Sequence, residues 1–202
     1  GGNFEQSKYG GNRADWPGRI ETEVTRFGTS TLDAYSLTLG WSRDSRDSAI
    51  APTRGRQQYV NLDYATPIGK LEYLRLNYGH QWFYPLTRSV TFAINGDIGW
   101  GEGLSDKPYP ILKNYYVGGI GSVRGFQGGG IGTRDTTDNS SIGGNRKLVL
   151  NTELLFPLPG MAQDRTIRLF TYFDTGSGWQ EGESVRLSDM RASVGVGLSW
   201  LS

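Results

Sequence analysis

The 202-residue chain carries 30 glycines, 11 tyrosines and 6 tryptophans, a composition that leans towards β structure and away from a helical globule. Its 21 Lys and Arg residues nearly balance its 20 Asp and Glu residues, so charge gives no indication of a nucleic-acid partner. The absence of cysteine excludes disulfides, cysteine nucleophiles and thiolate zinc sites, and the single histidine leaves no histidine-rich metal cluster.

No stretch of the chain approaches the eighteen or so uninterrupted apolar residues of a transmembrane helix. A membrane β-strand, however, needs only roughly 9–11 residues in which every second one is apolar. The hydropathy of the chain is therefore compatible with a membrane barrel.

Strict alternation of apolar with small or polar residues predicts strands, because successive side chains of a strand point to opposite faces. In chain order, the apolar phases of seven predicted strands run over 35–41, 60–64, 74–84, 90–100, 148–156, 169–173 and 190–200. These runs are longer than the roughly 5–6 residues of an average soluble strand, and several end in aromatic residues. The pattern predicts an all-β fold, an antiparallel transmembrane β-barrel, in preference to a soluble sandwich, and requires no helix.

The connections between these strands alternate in length, which orients the predicted barrel. Membrane barrels keep short turns on the periplasmic side and longer loops outside. The long loop 101–146 is therefore predicted to be extracellular, which makes 43–55, 85–88 and 157–165 periplasmic turns and places 1–31, 65–70 and 175–189 outside. The segment 43–55 is somewhat long for a periplasmic turn.

The long loop contains the glycine-rich segment YYVGGIGSVRGF at residues 115–126. We expect its glycines at 118, 119, 121 and 125 to adopt positive φ values, so that the loop folds into a compact finger with Arg124 at its tip. A guanidinium in a confined lumen needs carboxylate partners. Glu153 and Asp174 lie in the inward phases of the two strands that follow the loop, and we predict that they pair with Arg124.

The tetrad Val123, Arg124, Gly125 and Phe126 after a glycine-rich approach resembles the sixth extracellular loop of the BamA-type family of outer-membrane barrels. The resemblance extends along essentially the whole chain, through NTELLFPLPG, YFDTGSGW and the terminal RASVGVGLSW. It implies that the loop folds back into the lumen, where its arginine contacts acidic residues of the following strands as a structural latch. Related barrels often have Phe or Gly where this chain has Tyr172, which leaves the packing around Asp174 open.

The resemblance also implies a function, namely folding and insertion of outer-membrane proteins without enzymatic chemistry or a cofactor. It implies an integral barrel in the outer membrane of a Gram-negative bacterium, with nascent outer-membrane proteins, lipids and, through POTRA domains, complex lipoproteins as partners. Residues 1–202 would then be the C-terminal part of a sixteen-strand barrel, with the POTRA domains and about two final strands outside the sequence. The alternatives are a translocation barrel of the TamA or two-partner-secretion type and a simple porin.

Simpler interpretations exist for the latch residues and for other features. Arg124 could be a solvated loop arginine, and Glu153 and Asp174 could line a wet lumen together with Lys147 and Arg168. The GGGIG run at 128–132 lacks the strand–turn–helix context of a phosphate loop, and is interpreted as loop. Two further interpretations assign Asp135, Asp138 and Asn139 to a polar loop instead of a calcium site, and His80 to the lipid interface.

Overall fold

The computed structural model describes residues 1–8, 18–135, 138–160 and 167–200. Eight strands and one α-helix lie in these ranges. The strands are β1 (Gly2–Lys8), β2 (Thr31–Asp44), β3 (Gly55–Ala65), β4 (Tyr73–Pro85), β5 (Thr91–Gly103), β6 (Arg146–Pro157), β7 (Ile167–Trp179) and β8 (Arg191–Trp200), and the helix is α1 (Gly18–Phe27). Two 3-10 turns, Ile111–Lys113 and Leu187–Asp189, lie in connections.

The eight strands form one sheet in the order β1 to β8, each pairing antiparallel with the next. The predicted all-β, antiparallel architecture is confirmed, and each of the seven predicted strands has a counterpart in β2 to β8. These strands contain 10 to 14 residues, which matches the length that crossing a bilayer requires. No helix within the described residues combines the length and the apolar character needed to cross a membrane.

The segment predicted as loop 1–31 differs from the prediction, because it contains β1 and α1. β1 (GNFEQSK) has a single large apolar residue, so its sequence carries no apolar phase. Backbone pairing to β2 stabilises it, and the ring of Phe4 lies 4.7 Å from that of Tyr35 across the pair. In α1, Val24 is buried, and Phe27 packs against a buried cluster that includes Leu32 and Ala34 of β2. Residues 9–17 lie outside the described residues.

Several connections differ in their bounds from the prediction. β7 continues to Trp179, so residues 175–179 of the predicted loop 175–189 are strand. β5 and β6 extend into the predicted loop 101–146, which leaves 104–145 as the long loop. The connections 45–54 and 86–90 lie at the opposite end of the sheet from the long loop, as antiparallel order requires. Residues 161–165 of the predicted turn 157–165 lie outside the described residues.

The two faces of the sheet carry the alternation that the sequence predicts. The apolar phase is exposed, with Leu39 at 69% and Val196 at 80% of their full accessible surface. The other face contacts the long loop, and we call it the inner face. At one end of this face, the turn 45–54 reaches β7, where Arg168 donates hydrogen bonds to the carbonyl oxygens of Ala51 and Pro52. Arg168 is buried there, and so it does not line an open wet lumen.

Candidate functional site

The long loop leaves β5, folds over the inner face and returns to β6. Gly118, Gly119 and Gly125 adopt positive φ values of 116°, 92° and 85°, a region that a side chain disfavours. Gly121 was expected to do the same and does not. These glycines close a tight turn, in which the amide of Gly119 donates to the carbonyl of Val123 at 3.0 Å. The turn places residues 118–126, which we call the tip of the loop, against β6 and β7.

Arg124 lies within hydrogen-bond distance of both carboxylates. Its Nε and Nη2 donate to the two oxygens of Asp174 at 2.7 Å each, and its backbone amide donates to Oδ2 at 3.0 Å. Its Nη1 donates to Oε1 of Glu153 at 2.5 Å. The guanidinium therefore binds Asp174 as a two-pronged fork and uses its third nitrogen for Glu153, a geometry that lysine cannot reproduce.

The two carboxylates that bind Arg124 differ in how far they are buried. The side chain of Asp174 is fully buried, whereas that of Glu153 retains 28% of its accessible surface. A buried carboxylate without a partner is costly, so Asp174 depends on Arg124 more than Glu153 does. The hydrogen bonds to Asp174, and then the single one to Glu153, raise the pKa of Arg124 above its ordinary value, and the guanidinium stays charged.

Two aromatic rings of β7 lie beneath the guanidinium. The Arg124 carbon Cζ is 3.9 Å from the ring centre of Tyr172 and 5.4 Å from that of Phe170. Tyr172 can take this position because its cross-strand neighbour on β8 is Gly195, where a Cβ atom would come within 2.6 Å of the ring. The packing around Asp174, which the sequence left open, is thus a cation–π contact in addition to the ion pair.

Two other members of the tetrad, Val123 and Phe126, take part in a small apolar cluster. Val123 is fully buried together with Val117, Ile131 and Val149, and Phe126 packs against this cluster. Val149 lies on the inner face of β6 between the polar positions Lys147 and Asn151. The sequence contained a signal for this contact, because Val149 is an apolar residue in an otherwise polar phase.

Asn151 is a further residue of the site, and the polar phase of β6 alone gives no indication of its role. Its Nδ2 donates to the carbonyl oxygen of Ser122, and its Oδ1 accepts from Nδ2 of Asn95 at 3.1 Å. Asn95 and Asn151 are direct cross-strand neighbours on β5 and β6. This pair of amides connects the tip to a third strand, and only the strand register could have revealed it.

Other candidate residues of the sequence bond to groups other than Arg124 and its carboxylates. Lys147 pairs with Asp97 on the inner face, and Asp138 accepts from the backbone amides of Ser140 and of Gly18. Among the described residues, no group of three or more acidic, histidine or cysteine side chains is placed to hold a metal ion. His80 lies on the outer face, where its Nδ1 is 3.0 Å from Nε2 of Gln58 and 3.1 Å from the hydroxyl of Tyr78.

The chain is similar in sequence to proteins of a known family. Residues 3–202 match the model of the Omp85 superfamily domain. The chain is 40% identical over 149 residues to the outer membrane protein assembly factor BamA of Neisseria meningitidis, and 30% identical over 146 residues to a SAM50-like protein of Schizosaccharomyces pombe. These alignments cover 72% and 70% of the chain, but only 19% and 30% of the two relatives.

The fold resembles that of a solved structure, a crystal structure of BamA from Haemophilus ducreyi that lacks POTRA domains 1–3. The two structures align with a TM-score of 0.77 at 21% sequence identity, over 91% of this chain and 41% of the other. The likeness establishes the barrel type of fold. The chain thus corresponds to a minor part of each of these relatives.

Proposed function

Because the chain belongs to the Omp85 superfamily, we propose that the protein it comes from folds β-barrel proteins and inserts them into the outer membrane of a Gram-negative bacterium. The work would consist of non-covalent rearrangement, without bond-making chemistry. The observation that carries the proposal is the forked contact of Arg124 with Asp174, in a chain 40% identical to a protein described as an outer membrane protein assembly factor.

In this proposal, Val123, Arg124, Gly125 and Phe126 form a structural latch with Glu153 and Asp174. The latch holds the loop tip against β6 and β7 and so stiffens this part of the wall. A stiff wall matters for an assembly barrel, because a substrate strand can only be templated by β-augmentation if the barrel opens at one edge while the remainder keeps its register.

The partners follow from the same proposal. Nascent outer-membrane proteins would be received by periplasmic POTRA domains of the full-length protein, with lipoproteins attached there, and they would leave through a seam of a sixteen-strand barrel. Outer-membrane lipids would contact the exposed apolar face of β2 to β8, which carries residues such as Leu39 and Val196. A translocation barrel or a porin would share the fold. Activity assays distinguish these alternatives from an assembly factor.

The test replaces two arginines of the long loop by alanine, one at a time, in the full-length protein. Arg124→Ala removes the latch, whereas Arg134→Ala removes an exposed arginine that bonds only to the carbonyls of Gly130 and Asn139 among the contacts described for it. In cells depleted of their own assembly factor, Arg124→Ala should reduce outer-membrane protein levels and alter heat-modifiable migration, and Arg134→Ala should do neither.

Two results would contradict the proposal. If the wild-type protein did not restore outer-membrane protein levels but conferred a large, steady ion conductance, the assembly function would be wrong. If Arg124→Ala restored growth fully and kept wild-type migration, the latch would have no role in assembly, although the barrel could still perform it.

A further inference from the structure

A second contact holds the loop, at residues 109–116, which we call the root. Its centre is Tyr115, which is buried on the inner face although it belongs to a connection. The Tyr115 hydroxyl donates to the carbonyl oxygen of Leu76 on β4 at 3.0 Å. The ring therefore connects the loop to a part of the wall that the latch, which contacts β6 and β7, does not reach.

The ring lies in a groove that exists because β5 has glycine on its inner face. At Gly99, a Cβ atom would come within 2.6 Å of the Tyr115 ring, closer than real Cβ contacts allow. One inner-face position further along β5, a Cβ atom at Gly101 would come within 2.4 Å of the buried ring of Tyr109. The two glycines leave room for the two rings, and this fit depends on shape.

Two cations flank the Tyr115 ring. The guanidinium carbon of Arg75 lies 4.7 Å from the ring centre, and Nζ of Lys147, whose ammonium also pairs with Asp97, lies 5.2 Å from it. Arg75 extends from β4, where it is paired with Gly101, and Lys147 extends from β6, where it is paired with Gly99. The ring is thereby confined from two sides.

Backbone hydrogen bonds also hold the root in place beside the Tyr115 ring. Tyr115 and Gly144 exchange two hydrogen bonds, of 2.7 and 2.9 Å, which join the outgoing and returning segments of the loop. Asn145 donates its side-chain amide to the carbonyl of Gly101 at 2.7 Å. The root is therefore closed by residues near β6, and in the part of the chain that the structure describes no residue of the tip takes part in these hydrogen bonds.

We propose that Tyr115 is a positioning residue that fixes the root of the long loop to β4 and β5 through the Gly99 groove, independently of the Arg124 latch. The loop is then held at two places, at its root by the contacts of Tyr115 and at its tip by the Arg124 latch. Loss of the latch frees only the tip, whereas loss of the Tyr115 contacts moves the whole loop. This inference concerns loop position, so it can hold or fail whatever the barrel's activity proves to be.

Distances between spin labels measure the two parts separately in the full-length barrel. These 202 residues contain no cysteine, and any cysteine elsewhere in the full-length protein is first replaced by serine. Single cysteines are then introduced at exposed positions: Ile120 for the tip, Leu112 for the root and Leu86 as a reference in the turn 86–90. Pulsed electron paramagnetic resonance then gives one tip distance and one root distance for each variant.

We expect Tyr115→Ala to broaden both distance distributions and Arg124→Ala to broaden only that of the tip. Tyr115→Phe retains the ring and should keep the narrow root distance. Gly99→Ala should reproduce Tyr115→Ala, and the matched control Gly96→Ala, on the same strand with nothing within 4 Å of the added Cβ, should change neither distance. Combining Gly99→Ala with Tyr115→Ala should add nothing to Tyr115→Ala alone, because both remove the same contact.

The proposal is overturned if Tyr115→Ala keeps the narrow root distance, or if Arg124→Ala broadens the root as much as the tip. If Gly99→Ala does not yield a folded barrel by heat-modifiable migration, the comparison of Tyr115→Phe with Tyr115→Ala decides alone. Equal broadening of the root distance in these two variants would show that the ring does not position it.

Discussion

The tip of the long loop contacts the sheet through charge, whereas its root contacts the sheet through shape. At the tip, four hydrogen bonds from Arg124 end on two carboxylates, one of them fully buried. At the root, the ring of Tyr115 fits a groove over Gly99. A charge contact is lost when one partner loses its charge, and a shape contact is lost when the groove is filled.

The difference has a consequence for how each contact tolerates change. Removing one member of a buried ion pair leaves the other charge uncompensated, which costs more than the pair itself contributes. Removing a packed ring leaves a cavity that neighbouring side chains can partly fill. We therefore expect the tip to be more sensitive than the root to single substitutions, and to respond unequally to its two carboxylates.

The largest effect is expected for Asp174→Ala in comparison with Glu153→Ala. Asp174 is fully buried and accepts three hydrogen bonds from Arg124, so its removal should lower the free energy of unfolding by roughly 3 kcal/mol. Glu153 accepts one and is partly exposed, so its removal should cost roughly 1 kcal/mol or less. Urea unfolding of the refolded barrel, followed by tryptophan fluorescence, measures both, and equal losses would contradict the assigned difference.

A smaller effect is expected at Tyr172, where the ring lies under the guanidinium. Tyr172→Phe keeps the ring and should unfold at nearly the wild-type urea concentration, whereas Tyr172→Leu loses the cation–π contact and should cost roughly 1 kcal/mol. The comparison of the two variants isolates the ring from the hydroxyl. A loss in Tyr172→Phe as large as in Tyr172→Leu would mean that the hydroxyl, and not the ring, supports Arg124.

The sequence predicted the contacts of the tip much better than those of the root. Alternation placed Glu153 and Asp174 on the inner face without any model of the loop, and the need of a guanidinium for carboxylates connected them to Arg124. The structure places all three within hydrogen-bond distance. Period-two patterns are reliable within strands because each strand residue has only two directions in which to point.

The root could not be predicted in this way, because its contacts depend on the shape of a groove and not on opposite charges, which a sequence shows directly. The alternation places Gly99 and Gly101 on the inner face and Gly96 on the outer face, but it does not indicate that rings of the loop lie against the two inner glycines. The helix α1 was missed for a related reason. It lies in a segment without strand alternation, and its amphipathic pattern of Val24 and Phe27 is too short to stand out against the surrounding loop.

The smallest predicted effect concerns Glu23, through which α1 contacts the root. This carboxylate is 1% exposed and accepts the backbone amide of Ile111 at 2.9 Å through Oε2, and burial raises its pKa above the ordinary value. Below the unfolded-state pKa, of about 4.3 for a free Glu, both states are protonated and the group contributes nothing to pH dependence. As the pH rises through the raised native pKa, the folded state must hold a buried charge, and stability falls.

Glu23→Gln should remove this dependence, because an amide can accept from Ile111 without ionising. The stability of the variant and that of the wild type should change alike with pH below the unfolded-state pKa of about 4.3, and the variant should become the more stable of the two as the pH rises above it. Thermal unfolding of both proteins across this range measures the difference, with Glu21→Gln, an exposed position of the same helix, as the control. A difference that stayed constant with pH would show that the contact of α1 with the root does not depend on the ionisation of Glu23, and the root would then depend on shape on this side as well.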